Sequence, residues 1–305
     1  MDKKLIVLGL LCLSFLLVNA QQLTIGTYNV RNDNQGDANQ GNGWAQRRMI
    51  IAGLVSFNDF DIWGSQEVLH NQLEDILLAM PQYGHIGVGR DDGKTKGEYA
   101  PIFYKKDKFT LIKHGDFWLS EDTTQPNRGW DAALPRICTW GQFKDNKSKF
   151  KFWFFNLHMD HVGVEARRQS AKLVLQKIKE MCGNDAVLLT GDFNVDQTHE
   201  SYRLLNESEI LRDSYDKAAM RYATNGTFNG WDTTLKTDSR IDHIFLTKHF
   251  EVERYGVLTD TYRSEKTGSK TIQTGDFPKE VSFEEYEVRL PSDHFPVKII
   301  VKYKK

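Results

Sequence analysis

The sequence predicts an α/β domain in which two sheets pack against each other with helices outside. Three observations predict it. No low-complexity linker, charge block or internal repeat divides a chain of 305 residues that is 27% charged and 40% hydrophobic, which suits one large domain. Short β-like apolar stretches alternate with amphipathic helical ones. The strand-like stretches fall into two groups, enough for two sheets rather than one.

Taken in order, "LTIGTYNV" (residues 23–30) is β-like, and "AQRRMIIAGLVSF" places Met49, Ile50, Leu54 and Val55 on one helical face. "DIWGSQEV" is strand-like, and "NQLEDILLAM" is a second helix stopped by Pro81. From Tyr83 to about His158 the character is that of hairpins: "HIGVGR", "APIFYKK", "FTLIKHGDFWLS", "ICTWGQFK" and "FKFWFFNLH". "EARRQSAKLVLQKIKEMC" is the strongest helix, with Ala166, Ala171, Val174, Leu175 and Ile178 on one side. "DAVLLTGDFNV" reads as a strand buried on both faces. A short helical piece near residues 199–205 precedes the strands "RIDHIFLT" and "HFPVKIIVKY".

The first twenty residues stand apart. Lys3 and Lys4 precede an apolar run from Leu5 to Val18, and a small residue, Ala20, closes the segment before Gln21. This is the pattern of a signal peptide, and the run is too short to span a bilayer, which takes ~20 apolar residues. A secreted or periplasmic protein of residues 21–305, a single domain without a stable membrane anchor and monomeric, is the expectation. Losing Asp2, Lys3 and Lys4, which together carry +1, takes the formal charge from −1 to −2. That balance argues against wholesale binding of nucleic acid. Cys138 and Cys182 remain; two cysteines make no disulfide framework, and two separate buried thiols are expected.

Polar residues gather at the strand ends. They are Asn29, Glu67, His158 with Asp160 and His161, Asp192 with Asn194, Asp242 with His243, and Asp293 with His294. One such group is an ordinary turn residue, but six would converge on one edge if the strands are neighbours. Asp192 and Asn194 are two apart, so an extended backbone would point both the same way and turn Phe193 into the core. A carboxylate, an amide and Glu67 nearby make an all-oxygen site for Mg²⁺ or Mn²⁺, whereas no cysteine or H-E-x-x-H motif supports zinc.

The ordered set Asn29, "SQEV", "NLHMDH", "GDFNV", "RIDHIF" and "PSDH" resembles the endonuclease/exonuclease/phosphatase superfamily over nearly all of residues 21–305. The resemblance implies a four-layer α/β/β/α sandwich of two packed mixed sheets with helices outside. It implies a phosphate-ester substrate, nucleic acid among the candidates. It makes Glu67 the main metal ligand with Asn29 beside it, and Asp293 the completion of the metal side. Asp192 and Asn194 would position the attacking water and a phosphate oxygen. His294 would move the proton, oriented by Asp242, and His158 would donate to the scissile phosphate. Arg136 resembles an arginine that contacts phosphate in some members.

Other residues are read more plainly. Asp160 and His161 are supporting groups, Glu98 and Arg168 salt-bridge partners on the packing side, and His243 structural. Trp118, Trp130, Phe228 and Trp231 are core or pocket aromatics. The shared chemistry does not name the substrate. Phosphodiester hydrolysis is the first expectation, phosphomonoester hydrolysis on a sugar or inositol phosphate the second, and an inactive binding module the reading from another class.

Overall fold

The computed structural model describes residues 21–303 apart from 267, 269, 273 and 274. The leader expected at residues 1–20 lies outside them. The chain opens with β1 (Gln21–Asn29), α1 (Gln35–Asn39), α2 (Trp44–Phe57), β2 (Ile62–Gln66) and α3 (His70–Ala79). Hairpin strands follow: β3 (Tyr83–Ile86), β4 (Ile102–Lys105), β5 (Phe109–Trp118), β6 (Ile137–Asp145) and β7 (Lys151–His158). Next come α4 (Val164–Cys182), β8 (Ala186–Asp192), α5 (Glu200–Asn206), β9 (Arg212–Asp213), α6 (Ser214–Lys217) and β10 (Met220–Tyr222). The last part holds β11 (Asp242–Leu246), β12 (Phe250–Val257), β13 (Tyr262–Glu265), β14 (Thr271–Ile272), β15 (Phe283–Glu284), β16 (Tyr286–Arg289) and β17 (Val297–Tyr303).

Seven strands form one mixed sheet in the order β10-β12-β17-β1-β2-β4-β3, and six form a second in the order β5-β6-β7-β8-β11-β9. The alternation of β7 shows how the layers stack. Phe152 and Phe154 enter the core between the sheets, while Trp153, Phe155 and Leu157 face α4 and α5. On the other flank, Tyr28, Trp63 and Phe103 pack beneath α2 and α3. The expected four layers are present. Among the described residues no helix is long and apolar enough to cross a membrane.

Most elements lie where the pattern placed them, and three departures have physical causes. In α2 the buried face is Arg47, Ile51, Ala52 and Val55, while Met49 is 63% exposed; Arg47 occupies a core position that apolarity alone would not assign. β12 escaped notice because a bulge between Val252 and Arg254 breaks its alternation. The hairpins of residues 262–289 are mostly exposed strands with little apolar pattern. Cys138 and Cys182 are both free and buried, as expected.

Candidate active site

Sheet register brings the polar strand ends together. β7 and β8 run parallel with His158 opposite Asp192, and β11 runs antiparallel to β8 with Asp242 opposite the same Asp192. In the other sheet, β1 and β2 are parallel with Asn29 beside Gln66, so Glu67 follows at the same edge. β17 is antiparallel to β1, and its entry loop is tied there by Ser292 Oγ donating to Asn29 O at 2.7 Å. Glu67, His158, Asp192, Asn194, Asp293, His294 and Arg136 all line one cavity of about 370 Å³. Asn29 and Asp242 are fully buried behind it.

The acids are the centre of the site. Asn29 Nδ2 donates to Glu67 Oε1 and to Asp192 Oδ2, both at 3.0 Å, and Asn29 Oδ1 accepts from the Arg31 N–H. Arg31 Nη1 lies 3.5 Å from Asp293 and 3.9 Å from Glu67, so one guanidinium stands between the two carboxylates assigned to the metal side. Burial, and then the Asp242 charge, push the Asp192 carboxyl up to about 7. Burial, partly offset by His294 and reinforced by the Glu67 charge, also raises Asp293. Acids that resist ionisation without a counter-charge suit a divalent cation, whose charge would favour the carboxylate forms. Ligand atoms of Glu67, His158 and Asp192 also lie within 4.8 Å of one another. The donor set thus fits a hard cation.

Two histidines flank Asp192 in opposite charge states. His294 Nδ1 meets Asp242 Oδ2 at 2.9 Å, while its Nε2 lies 3.7 Å from Asp192 Oδ2. Burial opposes its charge, but Asp242 and Asp192 prevail and hold the imidazole protonated well above its usual range. His158 is the reverse: burial, then the Arg136 and Arg90 charges, keep it neutral well below that range. Its Nε2 is 3.1 Å from Asn194 Nδ2, and among the described residues its Nδ1 has no hydrogen-bond partner.

Two sequence expectations need correction. Asn194 does not continue the strand. At φ 51° it is in the left-handed region, and its side chain turns to His158 and to the Met159 carbonyl at 3.0 Å. Phe193 does enter the core. Glu98 is no packing-side residue: it lines the cavity, bonds Asn32 at 3.2 Å and Arg90 at 2.5 Å, and lies 3.8 Å from His158 Nδ1. Arg168 does pair outward with Glu165, and His243 is buried against the Val195 carbonyl.

Asp160 accepts N–H bonds from Val162 and Gly163 and the Arg136 Nε at 3.2 Å. His161 Nδ1 takes Arg136 Nη2 at 2.9 Å, and among the described residues Nη1 of this cavity guanidinium has no partner. Of the four aromatics, Phe228 lines the cavity, 43% exposed, with its ring 5.0 Å from that of His294. Trp118 is buried and donates to the Arg90 carbonyl. Sequence reasoning passed over Arg31, Asn32 and Arg90. Arg31 and Asn32 lie two and three residues after Asn29 and could have been found from that motif; Arg90 carries no such signal. A larger cavity, about 870 Å³, opens at the opposite edge of the sheets beside Gln21 and Asp145. Its Lys105 and Lys108 are already paired with Asp59 and Asp61.

A sequence model of the Endonuclease/Exonuclease/phosphatase family matches residues 26–294. The chain belongs to that family. Two solved structures from Bacteroides thetaiotaomicron are each 52% identical to it. One is an endonuclease/exonuclease/phosphatase family protein, TM-score 0.86, covering 93% of this chain and 99% of its own. The other is a mannosyl-6-phosphatase, TM-score 0.85, covering 92% and 100%. An uncharacterized protein of Acanthamoeba polyphaga mimivirus is 30% identical over 84% of this chain and 91% of its own length. Members of the endonuclease/exonuclease/phosphatase family are phosphoester hydrolases that generally depend on a divalent metal.

One consequence of the Asp242–His294 bond can be measured in the metal-free protein. His294 has a raised folded value, so its stabilising contribution is complete below the unfolded value of about 6.5 and is lost as pH climbs through the folded one. Asp242→Asn removes the leading cause. An NMR titration of the imidazole protons should show His294 losing its proton at lower pH in the variant, and the stability gap between variant and parent should narrow as pH rises. A His294 midpoint unmoved by Asp242→Asn would refute the orienting role of Asp242.

Proposed function

We propose that this chain is a secreted or periplasmic phosphoesterase that uses Mg²⁺, or Mn²⁺ in its place, to hydrolyse the phosphomonoester of a small sugar phosphate. Residues 21–305 form its single catalytic domain, freed of the leader 1–20. The observation that carries the chemistry is the convergence of Glu67, Asp192, Asp293, His158 and His294 on one cavity of about 370 Å³. For the substrate, two further observations weigh against extended nucleic acid and for a small ester. The cavity has the size of a small-ligand pocket, and the 52% identical relative from Bacteroides thetaiotaomicron is a mannosyl-6-phosphatase.

The residues divide the work. A divalent ion held by Glu67 and Asp293 would neutralise charge on a nonbridging phosphate oxygen. Neutral His158 and the Arg136 guanidinium, whose Nη1 has no partner among the described residues, donate to the phosphate, while Asn194 Nδ2, held by the Met159 carbonyl, steadies the His158 ring. Asp192 and His294 lie 3.7 Å apart, the carboxyl pushed up by burial and then the Asp242 charge, the imidazole held protonated by Asp242 and Asp192 against its burial. Asp192 takes the proton of the attacking water, and the protonated His294 beside it gives its Nε2 proton to the leaving oxygen. Phe228 and Leu134 give the leaving group an apolar flank.

The test is a substrate panel with Mg²⁺, Mn²⁺ and chelator: mannose 6-phosphate, inositol phosphates, p-nitrophenyl phosphate, bis-p-nitrophenyl phosphate, sphingomyelin, RNA, and single- and double-stranded DNA. The expected result is chelator-sensitive release of phosphate, with kcat/KM for the sugar phosphate at least about tenfold above the diesters, a difference of about 1.4 kcal/mol in transition-state binding. Preferred cleavage of a diester would return the sequence's first expectation to the front. Turnover indifferent to chelator would remove the metal from the reading.

A further inference from the structure

Arg47 lies in the first turn of α2, where a globular helix would ordinarily bury an aliphatic side chain, and it is fully buried. A guanidinium so placed must have its donors met. Among the described residues its hydrogen bonds all go to backbone carbonyls. Nε donates to Asn42 O at 2.6 Å, Nη1 to Val30 O and Pro291 O at 2.8 Å each, and Nη2 to Arg31 O at 3.2 Å. Its Cζ lies 5.6 Å from the Trp44 ring centroid and 5.1 Å from that of Trp231.

The acceptors are far apart in sequence and adjacent to the acids. Val30 and Arg31 directly follow Asn29, and Pro291 comes two residues before Asp293. Trp231 ends the stretch whose Asn229 and Gly230 N–H groups donate to the Asp293 carbonyl. Gln72 completes the tie from the Glu67 side: its Nε2 donates to Arg31 O at 2.9 Å and its Oε1 takes the Asp33 and Leu69 N–H groups. One side chain therefore spans the loop after β1, the loop before β17 and the segment bearing Trp231.

We propose that Arg47 is a positioning residue that sets the affinity of the site for its divalent cation, by fixing the spacing between the Asn29–Arg31 and Pro291–His294 loops. This rests on the reading of Glu67 and Asp293 as cation ligands. Metal ligands must be placed to a few tenths of an ångström, and loops hold that tolerance only when supporting bonds lock them. A planar fork can reach three loops at once. An ammonium on the same stem presents donors from a single point.

The experiment measures Mn²⁺ affinity by isothermal titration calorimetry, without substrate, on the parent, Arg47→Lys, Arg47→Met and the core control Val174→Ala, which lies under α4 away from the cavity. Arg47→Lys and Arg47→Met are expected to weaken Mn²⁺ binding by about tenfold or more, Met beyond Lys. At saturating Mn²⁺ both should recover kcat to within about threefold, with KM for the sugar phosphate within about twofold of the parent. Val174→Ala should lower Tm and leave Mn²⁺ affinity unchanged. An Arg47→Lys protein with lowered Tm but Mn²⁺ affinity within about twofold of the parent would make Arg47 structural only and overturn the proposal. Should Arg47→Met not fold, Arg47→Lys decides alone. A parent that binds no Mn²⁺ would overturn the metal reading itself, an outcome distinct from failure of the Arg47 variants.

Discussion

His294→Ala is expected to lower kcat by about 10³-fold, within the range seen for loss of a positioned acid–base group, while KM changes only a few-fold. The ring bridges Asp242, at 2.9 Å, and Asp192, at 3.7 Å. Its removal leaves Asp242 buried without its partner, which would destabilise the fold if the carboxyl stayed charged. His294→Asn guards against that loss: its amide nitrogen can donate toward Asp242 but cannot carry the reacting proton. Both variants should be equally inactive, with His294→Asn the more stable on thermal melting. Near-parental turnover in either would remove His294 from the proton transfer.

Glu67→Gln has the second large effect, and it separates metal binding from folding. A protein that binds metal only when folded gains about 2.7 kcal/mol at a hundredfold excess over Kd, a rise in Tm of roughly 5–10 °C for a domain of this size. The variant keeps the shape but loses the charge and one of two acceptors, since Asn29 donates to Oε1 and Asn32 to Oε2. Most of the metal-induced rise should vanish, and turnover should fall by about 10²-fold or more at fixed metal. Without metal the difference should close. The Glu67 charge helps to raise both Asp293 and Glu98, so neutralising it relieves a repulsion, which offsets the lost acceptor, and the metal-free variant should melt close to the parent. A parental metal-induced shift in Glu67→Gln, read by calorimetry with and without Mg²⁺, would discard Glu67 as a ligand.

The ends of the strands were legible because strand ends break an apolar pattern abruptly. Glu67 after "IWGSQ", His158 after "FWFFNL" and Asp192 after "AVLLTG" each interrupt a run that is buried on both faces. Asp242 and His294 became legible as partners only through the ordered motif set, since 52 residues separate them. Glu98 and Arg90 were not legible in the same way. They sit on a loop whose route across the cavity depends on the Gly89 and Asp91 turn bonds and on Trp118 beneath it, none of which has a periodic signature. The conformation at Asn194 was missed for another reason: spacing of two implies one face only while the backbone stays extended, and there it does not. In α2, apolarity indicated the wrong stripe because an arginine takes one of its fully buried positions.

The site straddles the seam between the sheets. Asn29, Glu67, Asp293 and His294 hang from the seven-stranded sheet, whereas His158, Asp192 and Asp242 hang from the six-stranded one. The bonds from Asn29 to Asp192 and from His294 to Asp242 cross between them. Their relative alignment is set by the interlocking of Ile25, Phe154, Leu188 and Val297, side chains that never approach a substrate. Turnover is therefore a gauge of how true the two sheets sit, since misplacement by about 1 Å can forfeit a hundredfold in rate. Drift in that distant core would dull the enzyme while the protein still looked folded.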